Sequence, residues 1–305
     1  MMKKTSLKKQ KMLRKAVMIF LTAYAVLTAL LFLFPTVVTI ANSFMTQKEI
    51  NANYGAMISN FDENESQKTY ISEKLNLKLI PDMVSLEQYK TVLFKSSDYL
   101  MKFWNSVILV VPIVLFQLIV ALLAAYSFAR YRGKLKELLF FMYVILMLMP
   151  YQVTLVPNYL VADKLGILDT RLAIILPGIF APFSVFLLAK VMRRIPMSFI
   201  EAAKLDGAGE IQIFTQICIP LSKSAIFSVV LLLFIDYWNM VEQPLIMLSD
   251  TDYHPLSVFL SKINTGDVGL AFAVAVIYMI PTLLMFFYGE EYLVEGIAYS
   301  GGIKG

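Results

Sequence analysis

The chain has 305 residues, 58% hydrophobic and only 16% charged, with a mean hydropathy of +0.68. That is more apolar surface than one soluble core can enclose, so the composition excludes an ordinary soluble domain and predicts an all-α, polytopic membrane protein. The net charge of +5 lies mostly near the chain ends and forms no basic stripe interleaved with stacking aromatics; this excludes nucleic acid as a partner and leaves the lipid bilayer.

Residues 1–16 carry Lys3, Lys4, Lys8, Lys9, Lys11, Arg14 and Lys15 and read as a basic tail. The apolar run after it is too long for a signal-peptide core and lacks a small-residue cleavage site, so 17–41 is expected to be an uncleaved transmembrane helix. A spanning helix needs about 20 apolar residues. Five further segments meet or approach that, at 103–129, 138–160, 172–192, 225–248 and 268–289, making six. The short connections sort by charge. Arg130, Arg132, Lys134 and Lys136 follow the second segment, and Lys190, Arg193, Arg194, Lys204 and Lys223 surround the connection after the fourth. The opposite short connections hold only Lys164, Arg171 and Lys262. Lys and Arg are retained on the cytoplasmic side, so both termini, including the tail 290–305, are expected there.

The connection 42–102 then lies outside. Its seven lysines are offset by eight acids, and loops of this length cross largely regardless of charge. Its polar stretch 51–70 is expected to be mobile. "IPDMVSLEQYKTVL" reads as a short amphipathic helix against the outer membrane face, with Ser85 as N-cap and Gln88 three residues on. Asn64, Glu65 and Ser66 make a glycosylation sequon, a triplet too common to carry weight. Pro112, Pro150, Pro157, Pro177, Pro182 and Pro281 interrupt the spans. Broken helices are tolerated where freed backbone groups face protein or a water-filled cavity, so these prolines mark either a translocation path or ordinary kinks.

The cytoplasmic connection 193–224 reads as two short helices joined by a break. Residues 201–205 are good helix formers, Gly207 and Gly209 permit a tight turn, 211–217 place apolar residues at helical spacing, and Pro220 stops the run. The knob would present Ala202, Ala203, Leu205, Ala208, Ile211 and Phe214 with Glu201, Asp206 and Glu210, which suits a groove on another protein with Arg or Lys at its rim. An amphipathic helix lying on lipid headgroups would carry a basic face instead.

The fifth segment contains "FIDYWNMVEQP", with Asp236 near mid-membrane and Glu242 about 9 Å further out. On one continuous helix Asp236, Asn239 and Gln243 share a face, and Trp238 and Glu242 share another. Ionisable groups at that depth cost roughly 2.5–3.5 kcal/mol and normally face a bundle interior or cavity. Carboxylates, amides and an indole are the groups that hold a hydroxyl-rich sugar on a path. Two other readings stay open: Asp236 pairs with a partner subunit while Glu242 and Gln243 sit in the outer interface, or Asp236 and Glu242 are proton or sodium sites of an ion-coupled secondary transporter. The chain lacks the internal repeat such carriers often show. Enzymatic constellations are poor. His254 is the single histidine, which excludes multi-histidine metal centres; Asp250 and Asp252 read as solvated loop carboxylates, and no phosphate-binding P-loop sequence is present. Cys218 is the single cysteine, so no intrachain disulfide forms.

"EAAKLDGAGEIQIFTQICIPL" resembles the EAA loop of permease subunits in binding-protein-dependent ABC importers, with Glu201, Ala202, Ala203, Asp206, Gly207, Ala208, Phe214, Ile217 and Pro220 on that family's pattern. "SLEQYK", "NSVIL", "ARYRGK", "MPYQVTLVPNYLVADKLGILDT", "WNMVEQPLIML" and "GEEYLVEGIAYSGGIKG" are similar to landmarks of its carbohydrate branch, the maltose- and glycerol-phosphate-type second permeases. The resemblance covers residues 15–305, with 51–70 looking like an insertion. It implies a type I ABC importer permease fold of six transmembrane helices in a bacterial or archaeal cytoplasmic membrane. It implies a non-catalytic subunit that works with a second homologous permease, two ATPase subunits and an extracytoplasmic solute-binding protein. No cofactor is implied on this chain, ATP and magnesium belonging to the ATPases. In the implied coupling loop, Glu201 faces a basic ATPase residue, Gly207 makes the sharp turn, and the tail 300–305 approaches the ATPase.

Overall fold

The computed structural model describes residues 2–59, 78–131, 133–262 and 268–301. The sequon at Asn64, residues 60–70 of the expected insertion, Arg132 and the last four residues lie outside them. All regular structure among the described residues is helical. In chain order it comprises α1 (Met2–Ser43), α2 (Gln47–Ser59), α3 (Glu87–Lys90) running into a π turn (Thr91–Lys95), α4 (Ser97–Arg130), α5 (Lys134–Met147), α6 (Tyr151–Lys164), α7 (Leu172–Gly178) and α8 (Pro182–Met192). Then come α9 (Met197–Leu205), α10 (Glu210–Ile213), a second π turn (Phe214–Cys218), α11 (Ile219–Leu221), α12 (Lys223–Trp238), α13 (Glu242–Met247), a 3-10 turn (Thr251–Tyr253), α14 (Leu256–Ser261) and α15 (Val268–Gly301).

Four stretches are long and apolar enough to cross a membrane as they stand: Met12–Ser43, Ser97–Arg130, Leu172–Met192 and Gly269–Tyr292. Two bent pairs bring the number to as many as six, α5 with α6 at 104° and Glu210–Leu221 with α12 at 76°. The expected tail 1–16 is not a separate element. Its Lys, Leu, Gln, Met and Arg residues are helix formers without a breaker, so α1 begins at Met2. The expected span 138–160 is likewise broken. Pro150, at φ −59° and ψ 141°, caps α6; its missing N–H and the restriction it imposes on Met149 end the preceding helix. Pro182 opens α8 after a break at Ile179–Ala181. Pro112, Pro157, Pro177 and Pro281 lie inside helices.

The chain divides into two compact units, Met1–Lys95 with Ile263–Ile277 and Ser96–Lys262 with Tyr278–Gly305. In the first, residues 51–59 are helical where a mobile run was expected. Ile50 and Tyr54, one helical turn apart on α2, are buried with Met45 against Phe272, and that burial overrides the polar composition. Asn42 Nδ2 donates to the Tyr54 hydroxyl at 2.7 Å. Ser85 Oγ accepts from the Glu87 N–H at 3.2 Å, but the expected box with Gln88 does not form. The Gln88 amide turns inward and donates to the Met45 carbonyl at 2.7 Å.

In the second unit α4 is the axis. Ala121, Ala125 and Ala189 are buried between α4 and α8 with Val185, Leu188, Met192, Val229 and Leu233, small residues letting helix backbones approach where lipid offers no hydrophobic drive. Near the start of α4, Asn105 Nδ2 donates to the Asp252 carbonyl at 2.6 Å and its Oδ1 accepts from Arg171 at 2.8 Å. Ser106 Oγ there accepts from the Leu256 N–H at 2.9 Å. Near its end, Tyr126 and Arg130 meet residues of the 197–218 segment. The 249–256 connection and Arg171 are therefore gathered at one end of α4, and the 193–222 connection at the other.

Gly289 of α15 sits so close to α12 that a Cβ there would lie 2.0 Å from the Phe227 ring. That ring packs against Tyr288 and Tyr292 at 5.7 and 5.0 Å. Gly289→Ala forces the ring out of place, an overpacking cost of about 1–3 kcal/mol. The expected result is a lowered midpoint in thermal unfolding of the detergent-purified chain; an unchanged midpoint would show that the two helices slide apart freely.

Candidate functional site

The 193–224 segment folds into the expected knob. Helix α9 ends in a Schellman arrangement: the Ala208 N–H bonds to the Ala203 carbonyl at 2.9 Å and the Gly207 N–H to the Lys204 carbonyl at 3.1 Å. The closure requires a left-handed residue, and Gly207 has φ +83°. Among the described residues no atom would lie within 4 Å of a Cβ at Gly207, so the glycine serves backbone conformation and not space. Gly209 then opens α10, with its N–H bonded to Gln212 Oε1 at 3.0 Å.

The side chains sort into two faces, which corrects the expectation that the whole apolar set points outward. Ile200, Ile213 and Cys218 are buried in the α4–α8 core, and Ala203, Ala208, Phe214 and Ile217 pack against it. Phe214 lies on the Tyr126 ring at 5.1 Å between centroids. Glu201, Ala202, Asp206 and Gly207 are exposed, and beside them Leu205 and Ile211 are 89% and 80% exposed. Glu210 is exposed as well, but its carboxylate is held by two partners. Its Oε1 pairs with Lys204 Nζ at 2.8 Å, and its Oε2 accepts from the Tyr126 hydroxyl at 2.5 Å. Lys204, then Tyr126, hold its carboxyl below the ordinary glutamate range. Its contribution is therefore present above the ordinary carboxylate pKa and lost as pH falls through the lowered value, well below neutrality.

Pro220 does not stop the helix. It sits in the first turn of α11, after the π turn Phe214–Cys218 has already disturbed the regular bond ladder, so its missing N–H costs little there. The break falls at Ser222, where the chain turns by 76° into α12.

The second candidate set is reorganised more deeply. The expected continuous helix 225–248 ends at Trp238 and resumes at Glu242, so Asp236, Asn239 and Gln243 do not share a helical face, nor do Trp238 and Glu242. Trp238 is 2% exposed. Its ring is stacked by Phe234 and Tyr278 at 5.2 and 5.6 Å and met edge-on by Phe103 at 5.8 Å, leaving no free face for a sugar. A reciprocal pair of bonds fixes the break. The Trp238 indole N–H donates to the Tyr278 carbonyl at 3.1 Å, and the Tyr278 hydroxyl donates to the Trp238 carbonyl at 2.6 Å. Asn239 caps α12 by donating to the Ile235 carbonyl at 2.7 Å. Asp236 and Glu242 are exposed on this chain, and Asp236 has no hydrogen-bond or ion-pair partner among the described residues. Among the described residues, Gln243 Oε1 and the hydroxyl of Tyr151 at the start of α6 are buried atoms that make no hydrogen bond. Sequence reasoning did not single out Tyr151; the available signal was its place directly after Pro150, where the break between α5 and α6 falls.

His254 is buried with Nε2 3.0 Å from the Leu248 carbonyl, and Asp250 accepts from the Asp252 N–H at 2.9 Å, closing its own turn. Among the described residues no group of three or more His, Cys, Asp or Glu side chains is placed to hold a metal ion.

Residues 117–290 match the family described as binding-protein-dependent transport system inner membrane component. The chain is 35% identical over 225 residues to the osmoprotective compounds uptake permease protein GgtD of Synechocystis, covering 72% of this chain and 75% of that one. It is 29% identical over 210 residues to the lactose transport system permease protein LacG of Rhizobium radiobacter, 68% and 77% of the two chains. With the arabinooligosaccharides transport system permease protein AraQ of Bacillus subtilis it shares 25% identity over 290 residues, 94% and 96% of the two. A solved chain from a bacterial ABC transporter involved in importing the acidic polysaccharide alginate has the same fold, with a TM-score of 0.72, 23% identity and 90% and 96% coverage.

Proposed function

Because the chain belongs to the family of binding-protein-dependent transport system inner membrane components, a multi-pass membrane permease family, we propose that it is the non-catalytic permease subunit of an ATP-driven importer for a sugar or oligosaccharide. The observation that carries this reading is the outer face of the knob. Leu205 and Ile211, 89% and 80% exposed, stand beside Glu201 and Asp206 on a segment expected in water. Burying each stabilises a contact by about 1.5–3 kcal/mol, and the acids suit basic residues at the rim of an ATPase groove. The relatives that carry lactose and arabinooligosaccharides support the carbohydrate assignment. Asp236, Asn239, Glu242 and Gln243, now joined by Tyr151, are proposed to line the solute path, with Trp238 holding its shape.

The proposed partners are a second homologous permease, two ATPase subunits that hold ATP and magnesium, and an extracytoplasmic solute-binding protein. The proposed location is the cytoplasmic membrane of a bacterium or archaeon, with both termini in the cytoplasm. ATP-driven closure of the ATPase pair would move the knob and switch the path between its two faces, which requires the two states to differ in their contacts. Purification of the tagged chain from its native membrane should retain an ATPase, and vesicles loaded with ATP should accumulate solute in the presence of proton and sodium ionophores. Uptake that ionophores abolish while ATP is present would favour an ion-coupled carrier using Asp236 and Glu242.

A further inference from the structure

The contact between the knob and α4 contains a polar link that the coupling pattern does not include. Tyr126 is buried one turn before the end of α4 and touches the knob twice, its ring against Phe214 at 5.1 Å and its hydroxyl donating to Glu210 at 2.5 Å. The other carboxylate oxygen of Glu210 pairs with Lys204 at 2.8 Å. Lys204 belongs to α9 and Glu210 to α10, so the carboxylate joins both short helices across the Gly207 turn and ties the pair to α4. The neighbouring polar contacts are weaker. Arg130 reaches the sulfurs of Met197 and Cys218 at 3.6 and 3.5 Å, and Arg193 reaches the Phe128 carbonyl at 3.2 Å. Two-point, charge-assisted bonding fixes an angle as well as a distance, which apolar packing alone does not.

We propose that Glu210 and Tyr126 are positioning residues for coupling: the Tyr126–Glu210–Lys204 chain sets the angle of the knob on α4, so that movement of the knob is passed to that helix instead of being absorbed by rocking at the interface. The proposal rests on the coupling reading above. Glu210 touches no partner in this role; it acts through the two helices it joins.

The test uses the assembled importer in nanodiscs. Nitroxide labels are placed on Gln216→Cys in the knob and Lys134→Cys at the start of α5, in a Cys218→Ser background, and their distance is measured by double electron–electron resonance without nucleotide and with ATP and vanadate. The expected result is a narrow distribution in each state, with a shift between them. Tyr126→Phe keeps the ring on Phe214 and removes only the hydroxyl. It should broaden both distributions, since a lost charge-assisted bond changes the docked-to-rocking ratio by about tenfold or more, while the ATPase still co-purifies. Glu210→Gln keeps an acceptor for the hydroxyl but removes the charge, so it should broaden the distributions less than Glu210→Ala, which removes both bonds. Narrow, shifting distributions in Tyr126→Phe with the ATPase bound would overturn the link and leave the coupling reading standing. An unmutated link that shows no nucleotide-dependent shift, or a complex without an ATPase, would overturn both.

Discussion

Replacing Gly207 by valine should cut solute uptake by a factor of five to thirty or more, while the chain still inserts in the membrane. The backbone there is held at φ +83° by two closing bonds, and a side chain in that region costs roughly 1–2 kcal/mol, more when β-branched. No neighbour among the described residues occupies the space a Cβ would fill, so the penalty falls on the turn and not on packing. The turn can relax only by opening, and opening tilts α9 away from α10 and carries Glu201 and Leu205 off the docking face. Asparagine tolerates the left-handed region, so Gly207→Asn should keep most of the uptake. That contrast separates a conformational role from a need for a bare backbone surface. Full uptake with normal ATPase retention in Gly207→Val would remove the turn from the mechanism.

The second large effect is expected at Asp236. A carboxylate inside a spanning helix costs roughly 2.5–3.5 kcal/mol to place there, and this one is exposed with no hydrogen-bond or ion-pair partner among the described residues. On the proposed function, its compensation comes from the second permease or from the solute. Asp236→Asn preserves shape and hydrogen bonding and removes the charge, so uptake should fall by about ten- to a hundredfold, the worth of a bond to a charged group. Co-purification of the partner permease decides between the two sources of compensation. A variant that assembles but does not transport places Asp236 on the path; one that fails to assemble makes it an intersubunit contact. Normal uptake with normal assembly excludes both.

Much of the fold was legible because lipid imposes a simple demand. Hydrocarbon satisfies no backbone group, so spans must be apolar helices of known length. The knob was legible for a related reason: the glycine at 207 and the small and acidic residues before it have few other uses in one turn. Local patterns could not show which of its apolar residues face outward. Phe214 and Ile211 are both hydrophobic and three residues apart, yet one lies against Tyr126 and the other is 80% exposed, because Tyr126 comes from a helix more than 80 positions away in the chain.

The helix break after Trp238 shows the same limit. Pro244 signals that a helix cannot run through it unbroken, but Asp, Tyr, Trp, Asn and Met can all continue a helix and do not show where the break falls. It exists because Tyr278 supplies a hydroxyl to the Trp238 carbonyl and takes the indole N–H in return, offsetting the backbone bonds that the break gives up. Composition and periodicity determined that this protein crosses a membrane in helices and carries a glycine-hinged knob. Tertiary contacts decided where those helices break and which residues of the knob face outward, because satisfying a freed polar group depends on what another helix brings to it.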